Sequence, residues 1–164
     1  MKPRLSIIIV NWNSGPRLRA NIDSLRREND PLGLEVLIVD NASADGSADP
    51  IAVDATARLI RLPSNLGFAA AANTAAREAR ADWLLFLNPD IIHTPSNIDR
   101  LLVGVAGRAE AVGGCGCLVD TEGRRQRHFQ LRRLPSPAWA LAELFLPRQA
   151  RTNGWGLRRH FYAN

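Results

Sequence analysis

The sequence predicts an α/β domain in which a mainly parallel β-sheet is covered by helices on both faces. Short and almost continuously apolar runs, rich in branched residues, alternate with segments of helical spacing or high alanine content. Strands that are apolar on both sides are typical of parallel sheets buried between helices. The 164 residues, 46% of them hydrophobic, are enough for one domain with a sizeable core.

The predicted elements alternate along the chain. Residues 5–10 form the first strand, and Ser14, Gly15 and Pro16 mark the start of a helix. The alanine-rich residues 68–80 predict a second helix. The remaining predicted strands are residues 36–39, 59–62 and 83–87.

Polar residues follow each of the four predicted strands. In strand order they are Asn11 and Asn13, Asp40 and Asn41, Asn65, and Asn88 and Asp90, with Gly67 in the same loop as Asn65. Ligands of open α/β sheets bind beyond the carboxyl ends of the strands, near the point where the strand order reverses. In the doubly wound order 3-2-1-4, Asn11 and Asn88 flank that point and Asp40 lies one strand away.

The residue types at this edge predict a site for a nucleoside diphosphate with a metal. Neither G-x-G-x-x-G nor G-x-x-x-x-G-K-[ST] provides a phosphate cradle. Asp90, after Pro89, offers hard carboxylate oxygens to a divalent cation, and a diphosphate would complete the coordination. Asp40 has the position of the acid that binds the ribose or base in dinucleotide folds.

Several of these residues also have structural interpretations. Asp90 would then cap the helix predicted near Ser96 or shape a proline turn, and Asp40 would close an Asx-turn with Ser43. We favour ligand contact for both aspartates because they lie on the expected edge.

Three asparagines and one dipeptide leave similar alternatives. Asn11 and Asn13 either line a ligand or cap the following helix. Asn73, in the middle of the second predicted helix, has poor helix propensity, so we expect a hydrogen bond to a ligand or to the backbone. Residues 45–46, Asp-Gly, are a common turn pair and are interpreted as a turn.

Four segments occur in a distinctive order and spacing: SIIIVNWN (6–13), VLIVDNASADGS (36–47), NLGFAAAAN (65–73) and WLLFLNPD (83–90). Together they resemble the family 2 glycosyltransferases with the GT-A fold, and most of all the rhamnosyltransferase-like branch. The resemblance covers roughly residues 4–135. It implies a Rossmann-like GT-A fold and an inverting transfer of a sugar from a nucleoside-diphosphate sugar to a cell-surface polysaccharide or lipid-linked acceptor.

The resemblance also implies roles for individual residues. The acid at the position of Asp40 contacts the nucleoside, with UDP or dTDP the expected nucleotide. The last acid of the D-x-D-like tripeptide, here Asp90, binds Mg²⁺ or Mn²⁺ and the diphosphate, and Asn88 stands where many relatives have the first aspartate. The other residues expected in the nucleotide-sugar pocket are Asn11, Asn13, Asn41, Asn65, Gly67 and Asn73.

One expected feature of the family is missing from these residues. Inverting relatives carry a general base, usually an aspartate of an acidic pair, well beyond the D-x-D region. After Asp120 the only acids are Glu122 and Glu143, and neither lies in such a context. We therefore expect no catalytic residue in this chain: the base belongs beyond residue 164, and a truncated chain of this kind would be inactive alone.

The resemblance divides the chain into two parts. Residues 1–123 are expected to form the nucleotide-sugar-binding core, with residues 120–125 resembling a hairpin that leads toward the acceptor side. Residues 124–164 are expected to begin an incomplete acceptor-side segment. They carry nine arginines and one glutamate, whereas residues 1–123 carry 12 basic and 15 acidic residues.

The arginine-rich part has two interpretations. Residues 138–146 are apolar apart from Glu143 and are flanked by arginines. Residues 132–151 would either contact an anionic membrane or pack on the rest of the enzyme, and we favour packing. Nucleic acid is not an expected partner, because no ordered aromatic platform is present.

The remaining sequence features favour a cytoplasmic protein. Cys115 and Cys117 lie in a predicted strand with side chains on opposite faces, so we expect small packed residues and no mutual disulfide. The apolar run at the amino terminus is too short for a signal peptide, and no run is long enough to span a bilayer. Peripheral attachment at the inner face of the cytoplasmic membrane is a second expectation.

Two other function classes are retained. A non-catalytic nucleotide-sugar-binding or structural module would keep the fold without turnover. A nucleotidyltransferase shares the α/β layout, but a glycine-rich loop bearing lysine or arginine is expected after its first strand, and residues 11–14, NWNS, are not such a loop.

Overall fold

A computed structural model describes residues 2–26, 33–52 and 57–126. Strands and helices alternate along them, as predicted. In chain order they are β1 (Leu5–Asn11), α1 (Pro16–Arg26), β2 (Leu34–Asp40), α2 (Asp49–Ala52), β3 (Arg58–Arg61), α3 (Phe68–Glu78), β4 (Trp83–Leu87) and α4 (Asn97–Ala106). Helix α3 ends two residues earlier than predicted, because the backbone at Ala79 is extended.

All four strands are parallel, in the order β3-β2-β1-β4. The chain moves outward from β1 to β3 and then returns to the other side of β1 to form β4. The strand order therefore reverses beside β1, which confirms the predicted doubly wound order and places the switch point at the carboxyl end of this strand.

Helices cover both faces of the sheet, as predicted. On one face, α1, α2 and α4 pack through Leu18, Ile22, Leu25, Ile51, Ile98 and Leu102. On the other face, α3 packs on β1 and β2 through three buried alanines, Ala71, Ala72 and Ala75. All seven residues of β1 are buried, which explains its continuous apolar run. Strand β4 is only half-buried, with Phe86 50% exposed.

The buried carboxylate of Glu35 accepts several hydrogen bonds near the amino end of the sheet. The Oε2 atom of Glu35 accepts hydrogen bonds from Ser6 Oγ (2.6 Å) and from the Arg80 backbone N–H (2.8 Å). The Arg80 Nε atom donates to Oε1 at 2.6 Å, and the Ala81 N–H donates to Ser6 Oγ at 3.1 Å. This cluster ties β1 and β2 to the connection between α3 and β4.

The chain divides into two compact units, Met1–Ala111 and Val112–Asn164. In the second unit, Val119 and Arg125 form an antiparallel bridge. The Asp120 carboxylate between them accepts hydrogen bonds from the backbone N–H groups of Glu122 and Arg124, both at 2.9 Å. These contacts form the predicted hairpin.

Hydrogen bonds from Arg124 hold the pKa of Asp120 below its ordinary value, because they favour the charged carboxylate.

The prediction that the two cysteines are packed residues of a strand is wrong. Cys115 and Cys117 are exposed and lie outside any strand. Gly113, Gly114 and Gly116 surround them, and glycine disfavours a regular strand because it loses the most conformational freedom on folding.

Several expectations concern residues that the structure does not describe. The proposed membrane or packing segment at residues 132–151 is one of them, and the predicted functional boundary after residue 123 also stays a prediction. In the described ranges, no helix has the length and apolar character needed to cross a membrane.

Candidate functional site

The carboxyl ends of the strands form one edge of the sheet, here called the rim, and the predicted site residues lie along it. Asn11 and Asp40 are register partners at the ends of β1 and β2. Strand β4 pairs with the other side of β1, so Asn88 and Asp90 follow there. Neighbouring strands are about 4.8 Å apart, which places the backbones of β2 and β4 about 10 Å apart across β1.

The Asn11 side chain is fully buried and contacts the rim residues from inside the protein. Its Nδ2 donates to Asp40 Oδ1 at 3.0 Å, to Ser43 Oγ at 3.0 Å and to Ser47 Oγ at 2.9 Å. Its Oδ1 is buried and accepts no hydrogen bond from the described residues. The structure thus places Asn11 where it joins β1 to β2 and to the loop after β2, and not on the rim surface.

Asp40 is the last residue of β2 and is 3% exposed. Asn11 occupies its Oδ1. In the described part of the chain, Oδ2 accepts no hydrogen bond and lies 3.6 Å from Arg61 Nη1. The other end of this guanidinium donates to Asp49 Oδ1 at 2.7 Å. Within the described residues, the Arg61 ion pair is therefore the contact that Oδ2 makes, whereas Oδ1 accepts a hydrogen bond.

Asn13 fastens the turn after β1 to the loop after β2. It has a φ of 50°, a left-handed conformation that asparagine tolerates better than most residues. Its N–H donates to Ser43 Oγ at 3.0 Å, and its Oδ1 accepts the Ala44 N–H at 2.8 Å. Ser43 is engaged by Asn11 and Asn13 and does not bond to Asp40 in an Asx-turn.

Asp45 adds a second link between these turns. Its Oδ1 accepts hydrogen bonds from Ser47 Oγ (2.6 Å) and Ser47 N–H (3.0 Å), and its Oδ2 accepts the Gly15 N–H (2.8 Å). The bonds from Ser47, with that from Gly15, hold the pKa of Asp45 below its ordinary value of 3.8, because they stabilise the carboxylate. The predicted turn role of Asp45 is confirmed.

Asn41 fixes the loop after β3 beside Asp40. This buried side chain donates to Asn65 Oδ1 at 2.9 Å and accepts the Leu66 N–H at 2.9 Å. Asn65 Oδ1 also accepts the Gly67 N–H at 2.8 Å. Asn65 and Gly67 therefore lie on the rim, with their loop held from the end of β2. Asn73 is exposed on α3.

Strand β4 leads into a turn that carries Asn88 and Asp90. The Ile91 N–H donates to the Asn88 carbonyl oxygen at 3.3 Å, and Pro89 has the second position of the turn, where its fixed φ is favourable. Asn21 of α1 donates to the Asn88 and Ile91 carbonyl oxygens, at 3.2 and 2.6 Å.

The Asp90 carboxylate is exposed at this turn. It makes no hydrogen bond or ion pair within residues 2–26, 33–52 and 57–126. The helix-capping alternative for Asp90 is wrong, since α4 begins only at Asn97 and is preceded by Ser96.

The metal-ligating side chains at the rim suit a cation that binds together with a diphosphate. Among the residues the structure describes, no three His, Cys, Asp or Glu side chains are grouped so that they could hold a metal. Asp90 offers one unengaged carboxylate, and a hard divalent cation can take its remaining ligands from phosphate oxygens and water.

Sequence reasoning missed four polar residues that build this edge, Asn21, Ser24, Ser47 and Arg61. Asn21 and Ser24 are buried on the face of α1 that otherwise packs in the core. A polar residue at a buried position of an amphipathic helix is a signal that could have identified both. Arg61 follows the apolar residues of β3, at the same strand end as the predicted polar residues.

The chain was compared with known families and proteins. The family described as Glycosyl transferase family 2 matches residues 6–162. An N-acetylglucosaminyl-diphospho-decaprenol L-rhamnosyltransferase of Mycobacterium tuberculosis is 29% identical over 73% of this chain and 42% of its own length. A validoxylamine A glucosyltransferase of Streptomyces hygroscopicus is 29% identical over 90% of this chain and 34% of its own. An uncharacterised glycosyltransferase of Haemophilus influenzae is 32% identical over 60% of this chain and 33% of its own.

Solved structures share the fold. A mannosyltransferase from Pyrobaculum calidifontis, in complex with GDP-Man and Mn²⁺, is 27% identical with a TM-score of 0.51, over 56% of this chain and 29% of that one. S. aureus TarS is 19% identical with a TM-score of 0.57, over 71% of this chain and 38% of that one, and shows the fold alone.

These matches cover only part of the length of each relative. The chain spans about a third to two fifths of the length of the curated relatives described above. The family match nevertheless covers nearly all of this chain, from the first strand onward. With the parallel sheet and the polar rim, it establishes that the chain belongs to glycosyl transferase family 2.

Proposed function

We propose that this chain binds a nucleoside-diphosphate sugar at the rim and supplies the donor-binding part of an inverting glycosyltransferase. The observation that carries the proposal is Asp40, a buried carboxylate one strand from the switch point, whose Oδ2 accepts no hydrogen bond from the described residues and lies 3.6 Å from Arg61 Nη1. Asp90 lies on the other side of β1 with its carboxylate exposed. The family membership supports this assignment.

The proposed role of each rim residue follows from its burial and its hydrogen bonds. Asp40 accepts hydrogen bonds from the nucleoside, while Asn11 holds its other oxygen from beneath. Asn65 and Gly67 form the wall of the nucleotide pocket, fixed by Asn41. Asn13 and Asn73, both exposed, border the sugar and phosphate positions.

Asp90, with Asn88 beside it, holds Mg²⁺ or Mn²⁺ against the diphosphate. A bound cation of this kind supplies Lewis-acid stabilisation of the departing nucleoside diphosphate. The mannosyltransferase that shares the fold is in complex with GDP-Man and Mn²⁺, which supports a metal here.

The donor and acceptor are proposed from the relatives. The mycobacterial relative is a rhamnosyltransferase whose name contains a decaprenol diphosphate, and this supports a lipid-linked or polysaccharide acceptor. A UDP- or dTDP-linked donor is part of the proposal, as expected from the family resemblance. We assign no described residue as the base that deprotonates the acceptor hydroxyl. Peripheral membrane contact through residues 132–151 belongs to the same proposal, as does a cytoplasmic location.

Nucleotide binding can be tested directly on this chain. Isothermal titration with UDP, dTDP and GDP, with and without Mn²⁺, should show at least one nucleotide whose Kd tightens about tenfold with the metal. At 100 times Kd, such a ligand stabilises the chain by about 2.7 kcal/mol, which thermal unfolding measures independently. No stabilisation by any of the three would overturn the proposal.

Two matched variants distinguish a loss of metal binding at Asp90 from a general effect of removing a surface carboxylate. Asp90→Asn should abolish the Mn²⁺-dependent tightening and leave metal-free binding within about twofold. The control is Asp82→Asn, just before β4, an exposed residue whose ion pair with Lys2 contributes little. Equal effects of the two variants would contradict the role of Asp90.

A further inference from the structure

The turn at residues 88–91 is held by a buried amide of α1. Asn21 is fully buried, and its Nδ2 donates to the Asn88 carbonyl oxygen at 3.2 Å and to the Ile91 carbonyl oxygen at 2.6 Å. These two carbonyls flank Asp90 in the sequence. Asn21 therefore holds the backbone on both sides of Asp90, and neither of these two hydrogen bonds engages the Asp90 carboxylate.

Ser24, one helical turn later, extends the same contact. It is 1% exposed, its Oγ donates to the Asn21 carbonyl oxygen at 2.6 Å, and it accepts the His93 N–H at 3.0 Å. The segment after β4 is thus attached to α1 at three backbone groups.

A packing role alone does not explain an amide at this position. Asn21 lies on the buried face of α1 together with Leu18, Ile22 and Leu25, where an apolar side chain would avoid the cost of burying a polar group. Its Oδ1 is buried and has no hydrogen-bond partner within the described ranges. The two bonds that the amide does make both end on the turn, so its effect is on the geometry of that turn.

We propose that Asn21 is a positioning residue for the metal-diphosphate side of the rim, with Ser24 in support. The proposal rests on the proposed function. A carboxylate on an unattached turn would have to be ordered when metal and diphosphate bind, which would weaken binding. Because the turn is already attached to α1, the backbone that carries Asp90 is in place before the metal binds, and only the Asp90 side chain has to be ordered.

The test compares metal-dependent and metal-free binding. The probe is UDP, or whichever of dTDP and GDP the panel above selects, titrated with and without Mn²⁺. Asn21→Leu should leave the metal-free Kd within about twofold and reduce the Mn²⁺-dependent tightening by about tenfold, the usual size of an outer-shell effect on metal binding. The control Ile22→Ala, at the next buried position of α1, should lower the melting temperature and leave the tightening unchanged.

A milder variant keeps the test decisive if Asn21→Leu does not fold. Ser24→Ala removes the acceptor of the His93 N–H and should reduce the tightening about threefold. Unchanged tightening in the folded variants would overturn this inference and leave the proposed function intact. Absence of tightening in the unsubstituted chain would overturn both.

Discussion

Strand β2 carries two buried carboxylates, and their surroundings differ. Glu35 near the amino end is 6% exposed and Asp40 at the carboxyl end is 3% exposed. Both oxygens of Glu35 accept hydrogen bonds, from Ser6 and Arg80. Only one oxygen of Asp40 does so among the described residues, from Asn11. Both carboxylates are buried, so the number of hydrogen-bond donors is what separates Glu35, which holds the fold together, from Asp40, for which we propose a ligand.

The charge state of Glu35 agrees with a structural role. Burial raises the pKa of a carboxyl group, but the hydrogen bonds from Ser6 and Arg80 and the Arg80 charge outweigh it and hold the pKa of Glu35 below its ordinary value of 4.5. The folded protein therefore favours ionised Glu35. Its contribution to stability is present above pH 4.5 and is lost as the pH falls through the lower, folded pKa.

The largest expected effect comes from changing the Oδ2 atom of Asp40. In Asp40→Asn, the amide oxygen still accepts the hydrogen bond from Asn11, while an N–H₂ group replaces Oδ2, which accepts no hydrogen bond from the described residues and lies 3.6 Å from Arg61 Nη1. Loss of a charged hydrogen bond to the nucleoside costs about 2 kcal/mol, or roughly 30-fold in UDP affinity, with and without Mn²⁺. Isothermal titration measures this.

The matched control for Asp40→Asn is the same chemical change at the other end of the strand. Glu35→Gln should leave the UDP affinity within about twofold. If the two variants weakened UDP equally, the distinction between the two carboxylates would be wrong.

The second effect is on stability and its pH dependence. Glu35→Gln should lower the free energy of unfolding by about 1.5 kcal/mol at pH 7, because it removes charge-assisted hydrogen bonds. Because the folded state lowers the pKa of Glu35, the difference in unfolding free energy between Glu35→Gln and the unsubstituted chain should stay constant down to pH 4.5 and shrink below it. Urea unfolding at pH 7 and at about pH 3 measures this, and an equal difference at both would argue against an ionised Glu35.

The fold could be predicted from the sequence because its signals are local. The apolar run of β1 and the alanines of α3 report burial and propensity directly, and the parallel sheet followed from the alternation of strands and helices. Asp40 and Asp90 could be singled out because each follows an apolar strand.

The functions of the amides on the rim could not be predicted in the same way. Asn11, Asn41 and Asn21 act through hydrogen bonds to residues 29, 24 and 67 or more positions away. Such partners are defined by the register of the strands and the packing of α1, which no local pattern contains. Two asparagines expected to touch the ligand, Asn11 and Asn41, are buried and hold other rim residues in place.

The smallest expected effect tests the loop that Asn41 holds beside Asp40. Gly67 has φ 78° and ψ 165°, a conformation almost confined to glycine, and an added Cβ would meet nothing within 4 Å. The cost of Gly67→Ala is therefore backbone strain, about 1 kcal/mol of unfolding free energy, with a slight weakening of UDP binding.

Gly104→Ala in the middle of α4 is the control of opposite sign for Gly67→Ala. Gly104, like Gly67, has open space where a Cβ would be added, but its φ is not left-handed. Replacing a helical glycine by alanine should stabilise the chain by about 0.5 kcal/mol. Urea unfolding distinguishes the two variants by the direction of the change. If Gly67→Ala also stabilised the chain, the loop would not depend on this backbone conformation, and the rim would be held by its side-chain amides alone.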